Sequence, residues 1–238
     1  MNKKTKEIMQ RELLQAKVDS AIYEELKASW REEQNNFLES LKDWRRPQDN
    51  LETSSDIMEL VEGLPIQQYY TEVPFRDENK DDYISTVASS GCAILIAKFI
   101  ERYFALEKDM LVSELARMAV KYGYRGYKKE ADGTWRKMGM MHIWFDKFVP
   151  RFYNLKSARL ESIKDVEKAL LAGELPVLLV KNSVYKNDPE NADSHFVVVL
   201  GFTKEGYQLY DPEKVEVITY EFAKLHQAIR TGWIISKD

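Results

Sequence analysis

Cysteine is nearly absent from this chain: among 238 residues only Cys92 carries a thiol. One cysteine cannot close an internal disulfide, so the fold is not a disulfide scaffold, and a reducing compartment is its simplest home. Histidine is also scarce. His142, His195 and His226 show no metal-ligand spacing among themselves or with the thiol, so no metal and no other cofactor is expected. Gly123 and Gly126 lack the following Gly-Lys-Ser/Thr of a phosphate-binding loop. No apolar run approaches a membrane span, and the basic start of the chain lacks the apolar core of a secretion signal. These absences give a cytoplasmic protein with no membrane partner as the expectation. Neither sign of charge dominates, with 35 basic against 39 acidic residues and a net charge of −4, so nothing global draws the chain to nucleic acid. What is present is apolar material, 44% of the residues, enough to build a core.

In residues 3–46, Leu14, Val18, Ile22, Leu26 and Trp30 recur every fourth position, and Phe37, Leu41 and Trp44 continue the stripe. No Gly or Pro interrupts until Pro47. The pattern predicts an amphipathic helix or helical hairpin. The chain therefore divides into a helical N-terminal extension (1–50) and a body (51–238). The extension could pair with a second copy, giving a homo-oligomer.

In the body, a short helix is expected over 54–61 and extended chain over 66–75. Helices follow over 92–106 and 110–122, a loop over 123–137, and a helix over 140–148 stopped by Pro150. After a further helix near 162–172, apolar runs at 177–180 and 195–200 read as buried strands joined by a polar loop over 182–194. Strands at 207–210, 215–219 and 233–235 and a helix at 221–229 complete the pattern. Helices first and an antiparallel-looking sheet after argue for an α+β fold. Tyr122, Tyr124, Tyr127 and Trp135, interleaved with lysines and arginines, could stack on bases. No recognisable RNA-binding module surrounds them, so they read as a cleft-side loop, with no nucleic-acid partner.

The chemistry-bearing residues are Cys92, His195 and Asp211, in that order. Cys92 opens a predicted helix, whose N-terminus favours an anion and whose free N–H groups can meet a developing oxyanion. A neighbouring imidazole can take the thiol proton, and a carboxylate can orient that imidazole. Each residue has a plainer reading. A free cysteine is often only a small hydrophobe, a histidine at a strand end is often only solvated, and Asp-Pro is often only a turn. His142 is a rival base but sits among Met and Trp and reads as packing. His226 falls on the 221–229 helix and reads as a surface residue. Ser90, Gly91 and Ser194 flank the two reactive residues and are candidate lining of a substrate cleft. Gly91 would leave room for a substrate backbone.

Val73-Pro74-Phe75, Thr86-Val-Ala-Ser-Ser-Gly-Cys92, Gly173-Glu-Leu-Pro-Val177, His195-Phe-Val-Val-Val-Leu-Gly-Phe202 and Tyr210-Asp211-Pro212 follow one another in order. Together they resemble the bacteriocin-processing-type (double-glycine-type) cysteine peptidases of the papain-like clan, over about residues 66–236. The resemblance implies a papain-like fold, in which a helical part carrying the Cys packs on an antiparallel sheet carrying the His and Asp. It implies Cys92 as nucleophile, His195 as general base and acid, and Asp211 as orienting carboxylate, acting on peptide or isopeptide bonds of a peptide or protein substrate. The family also carries a Gln shortly after Val-Pro that donates to the oxyanion. Here Glu78 stands at that place, with Asn79 beside it. An ionised Glu would repel the oxyanion, so either the Asn79 amide replaces the lost donor, or Glu78 is protonated and donates, or catalysis is weakened. The usual Gly-Pro after the Cys is replaced by Ala93-Ile94. A catalytically weak or inactive module that binds peptides or a protein partner is therefore the alternative expectation.

Overall fold

The computed structural model describes residues 64, 66–80, 85–214 and 216–237. The N-terminal helical extension, the helix at 54–61, the division near residue 50 and any oligomer made through the extension lie outside the described residues.

A six-stranded, wholly antiparallel sheet organises the body. Its strands are β3 (Lys156–Arg159), β4 (Leu175–Lys181), β5 (Ser194–Phe202), β6 (Tyr207–Tyr210), β7 (Ile218–Tyr220) and β8 (Ile229–Ser236), in the spatial order β3-β8-β4-β5-β6-β7. Before it in the chain come α1 (Val87–Ser90), α2 (Cys92–Tyr103) and α3 (Val112–Lys121). The helix-then-sheet order expected for an α+β chain is present.

Side chains alternate across a strand, so a sheet covered on both faces needs apolar residues at every position. The central strands meet that requirement. On β4, Val177 and Leu179 join the core around α2, while Leu178 and Val180 join a second core beneath the sheet. On β5, Phe196, Val198 and Leu200 go to the first core and Val197 and Val199 to the second. The second core is closed by α5 (Lys164–Leu171), by α6 (Asn182–Tyr185) through Tyr185, and by α7 (Phe222–Ala228) through Leu225 and Ala228. Continuous apolar runs at 177–180 and 196–200 are the signature of this double covering. Helix α2 is itself buried nearly all round, from Cys92 to Ala97 and again at Phe99 and Ile100.

Four local expectations are corrected. Residues 123–137 are not a loop: β1 (Arg125–Lys129) and β2 (Trp135–Met140) form an antiparallel hairpin with a bulge at Gly126/Tyr127. Residues 66–75 are not a strand but a 3-10 turn, Gln67–Tyr69, followed by loop with a single bridge, Pro74 to Thr86. Pro150 does not stop a helix. A π-helical turn, Trp144–Phe148, runs into α4 (Val149–Tyr153), and Pro150 sits in the first turn, where no N–H is needed. Lastly, the 182–194 connection opens with the short helix α6, and β3 was not anticipated at all.

Gly91 is the elbow between α1 and α2. Its N–H donates to Val87 O at 2.7 Å, and its own carbonyl accepts from Ile94 at 2.9 Å and Leu95 at 3.2 Å. A Cβ at this position would lie 2.4 Å from Val87 Cγ1, 2.6 Å from Val87 O and 2.8 Å from Val87 Cα. Contact with backbone cannot be relieved by a rotamer change. Gly91→Ala is therefore expected to destabilise the fold by about 1–3 kcal/mol, as overpacking does. The urea midpoint should fall with an unchanged slope; an unchanged midpoint would show that the elbow has room to give.

Candidate active site

The start of β5 and the end of β6 bring His195 and Asp211 together. His195 is 2% exposed and Asp211 1%. His195 Nε2 donates to Asp211 Oδ1 at 2.7 Å. Cys92, at the head of α2, lies near enough to the same imidazole to act on its ionisation. With Nε2 engaged by the carboxylate, Nδ1 is the nitrogen left to face the sulfur. The three residues singled out in the sequence therefore meet.

Two more donors hold the carboxylate. Tyr185 Oη donates to Asp211 Oδ2 at 3.0 Å, and the Glu213 N–H donates to Oδ1 at 2.9 Å. The second bond belongs to a turn closed by Lys214 N–H on Asp211 O at 2.8 Å, so the Asp-Pro turn is present and does a second job. Tyr185 is itself fixed, since Tyr220 Oη donates to its carbonyl at 2.8 Å and the two rings stack at 4.8 Å.

Burial disfavours the imidazolium of His195. Hydrogen bonds with Asp211 and Cys92, and the charges of both, outweigh it and push the ring up to about 10. Burial likewise opposes ionisation of Asp211, yet the bond and charge of His195, the Glu213 N–H and the Tyr185 hydroxyl hold its carboxyl below the ordinary value. Burial and the charge of Asp211 raise Tyr185, so it remains a phenol and a donor. The result is a buried His195–Asp211 pair whose surroundings favour the charged forms, with Cys92 beside the ring.

The other anticipated residues are placed as follows. Ser90 is half-buried, and its hydroxyl accepts from Arg125 Nη2 at 2.9 Å. Ser194, also half-buried, pairs with Lys181 across β4–β5. Glu78 and Asn79 are both exposed. The Asn79 backbone donates to Asp77 Oδ1 at 3.1 Å and its amide lies 3.4 Å from the same oxygen, a local turn. His142 packs edge-on against Trp233, and burial together with the Arg159 charge pushes it down to about 4. His226 is not a surface residue: it is half-buried, bonded to Tyr207 Oη at 3.1 Å and pushed by burial to about 4.

Sequence reasoning missed three supports. Tyr185 lies in a polar stretch with no period to mark it. Gln67 bridges the two sides of the site, its N–H donating to Pro212 O at 2.9 Å and its Nε2 to Ala88 O at 3.1 Å. Glu213 places Oε1 3.7 Å from His195 Nδ1. His195, Asp211 and Glu213 thus gather three metal-capable side chains within 4.8 Å. Lys186 already contacts both Glu213 oxygens, at 2.7 and 2.6 Å, so a metal there would compete with an ammonium in place.

No family model matches the chain. No curated protein matches it either. Among solved structures it is similar to a chain described as a "putative C39-like peptidase from Bacillus anthracis", at 16% identity and a TM-score of 0.49, over 71% of this chain and 96% of that one. No helix among the described residues is long and apolar enough to cross a membrane.

Proposed function

We propose that the protein is a cysteine hydrolase of papain-like architecture, acting on peptide or isopeptide bonds. The observation that carries this reading is the buried His195–Asp211 pair at 2.7 Å with Cys92 near enough to act on the same ring. Cys92 attacks the carbonyl carbon, and the electron pair moves to the carbonyl oxygen. His195 holds the thiol proton and gives it to the leaving amine. Water, deprotonated by His195, then releases the acyl group and restores the thiol. Asp211 keeps the imidazole oriented throughout. The backbone N–H of Cys92, at the first turn of α2, is assigned to the oxyanion, since those of Ile94 and Leu95 already donate to Gly91 O.

A second reading, a peptide-binding module without turnover, is favoured by one observation. Glu78 and Asn79 are both exposed, with Asn79 turned onto Asp77, so neither supplies an amide from a buried position. One experiment separates the two readings. Purified protein is incubated with a mixed peptide library and with an isopeptide-linked substrate. Cleavage is expected and should vanish in Cys92→Ala. Binding that Cys92→Ala leaves intact, with no cleavage by either form, establishes the second reading instead.

A further inference from the structure

A bidentate ion pair borders the imidazole at Nδ1. Lys186 directly follows α6 and contacts both Glu213 oxygens, at 2.7 and 2.6 Å. Glu213 Oε1 is 3.7 Å from His195 Nδ1, within ion-pair range but beyond hydrogen-bond length. The pair is partly buried, with side chains 28% and 33% exposed, so water screens it incompletely. Its neighbours are all fixed. Tyr185 ends α6, Asp211 directly follows β6, His195 lies on β5 and Cys92 on α2.

We infer that Lys186 is a positioning residue, which holds Glu213 off His195 Nδ1 so that this nitrogen's proton is directed at Cys92. The inference rests on the assignment of Cys92 as nucleophile. Nδ1 carries one proton, and two anions can compete for it: the thiolate and the Glu213 carboxylate. A thiolate that loses its donor, and gains a second negative charge nearby, takes its proton back at higher pH. A carboxylate already satisfied by an ammonium on both oxygens gains little by moving to the ring. Lys186 thus decides which anion the imidazolium serves, though it touches neither the sulfur nor the scissile bond.

The arrangement predicts a defined pattern of epistasis. Alkylation of Cys92 by iodoacetamide is followed from pH 5 to 9, alongside peptide turnover. In Lys186→Met, the pH at which alkylation reaches half its plateau should rise by about one unit, and the rate at pH 6 should fall about tenfold. Adding Glu213→Gln in the same chain should bring both back to within about threefold of wild type, because the competing anion is gone. Lys186→Arg should remain near wild type. A merely structural ion pair would change the melting temperature without moving the alkylation profile. An unmoved profile in Lys186→Met, or a double variant as slow as Lys186→Met, overturns the inference. Failure of the underlying assignment looks different: wild-type Cys92 would then react no faster than a free model thiol near neutral pH.

Discussion

His195→Gln should leave Cys92 nearly inert to iodoacetamide at pH 6 and lower peptide turnover by about a thousandfold or more, while the protein stays folded. Glutamine is chosen over alanine for a reason of geometry. The imidazole meets Asp211 through Nε2, and a Gln amide nitrogen can occupy much the same place. Alanine would strand the Asp211 carboxylate, which is 1% exposed, without its cation, at a cost of about 3–5 kcal/mol. Lost activity would then be confounded with lost fold. With Gln the carboxylate keeps a neutral donor, but no group remains that can hold the thiol proton. Positioned general acid–base catalysis contributes roughly a hundred- to ten-thousandfold, and in the proposed mechanism the same residue also holds the proton of the nucleophile. Alkylation of the variant should recover as pH approaches about 8.5, where an unassisted thiol ionises on its own. A wild-type-like rate at pH 6 in the variant would remove His195 from the mechanism.

The order of Cys92, His195 and Asp211 was legible because short motifs carried it, and the turn at Asp211-Pro212 because Asp and Pro favour successive turn positions. The two central strands were legible because both of their faces are covered. The contacts that complete the site were not. β5 pairs with β6 as Gly201↔Gln208 and Phe202↔Tyr207, but after a bulge between Val199 and Gly201 as Val199↔Leu209 and Val198↔Tyr210. That register sets where β6 ends at Tyr210, and the turn that follows, closed by Lys214 N–H on Asp211 O, brings Glu213 to His195. A ladder without the bulge would shift the pairing by one residue and put another side chain there. Nothing in the apolar pattern announces the bulge, so nothing announces Glu213.

The β1–β2 hairpin hides for the opposite reason. Its strands run from buried at Arg125 and Gly126 to exposed at Lys128 and Lys129, and from exposed at Trp135 to buried at Met140. With only its root in the core, it shows no period-two alternation, and its lysines and glycines read as loop. Pro150 misleads similarly. A proline ends a helix only if the residue four before it needs the missing N–H, and here the helical register changes from π to α just before it.

Asp211→Ala should cost both activity and stability, whereas Asp211→Asn should cost mainly activity, and modestly. Alanine removes the acceptor for three donors at once: His195 Nε2, Tyr185 Oη and the Glu213 N–H. Buried donors left unpaired, one of them on an imidazolium, make a loss of about 3–5 kcal/mol the expectation. In a chain of this size that lowers the melting temperature by roughly 6–20 °C. Asparagine keeps a carbonyl oxygen for His195 Nε2 and the Glu213 N–H, while its amide nitrogen faces Tyr185 Oη, which can then accept instead of donate. A thiolate–imidazolium pair needs an acceptor at Nε2 more than it needs an anion there, so turnover should fall by about ten- to a hundredfold rather than collapse. The stability difference between wild type and Asp211→Ala should also depend on pH in a fixed sense. Asp211 titrates below its ordinary value in the folded chain, so its contribution is present above about pH 4 and lost on further acidification. His195 titrates above its ordinary value, at about 10, so its contribution is complete below about pH 6.5 and fades as the pH climbs to 10. The difference measured by urea unfolding should therefore be largest between about pH 4 and 6.5 and shrink on either side. A difference that stayed flat from pH 6.5 to 10 would mean that the ring is already neutral in the folded protein, and the ion pair at the centre of the proposed mechanism would have to be abandoned.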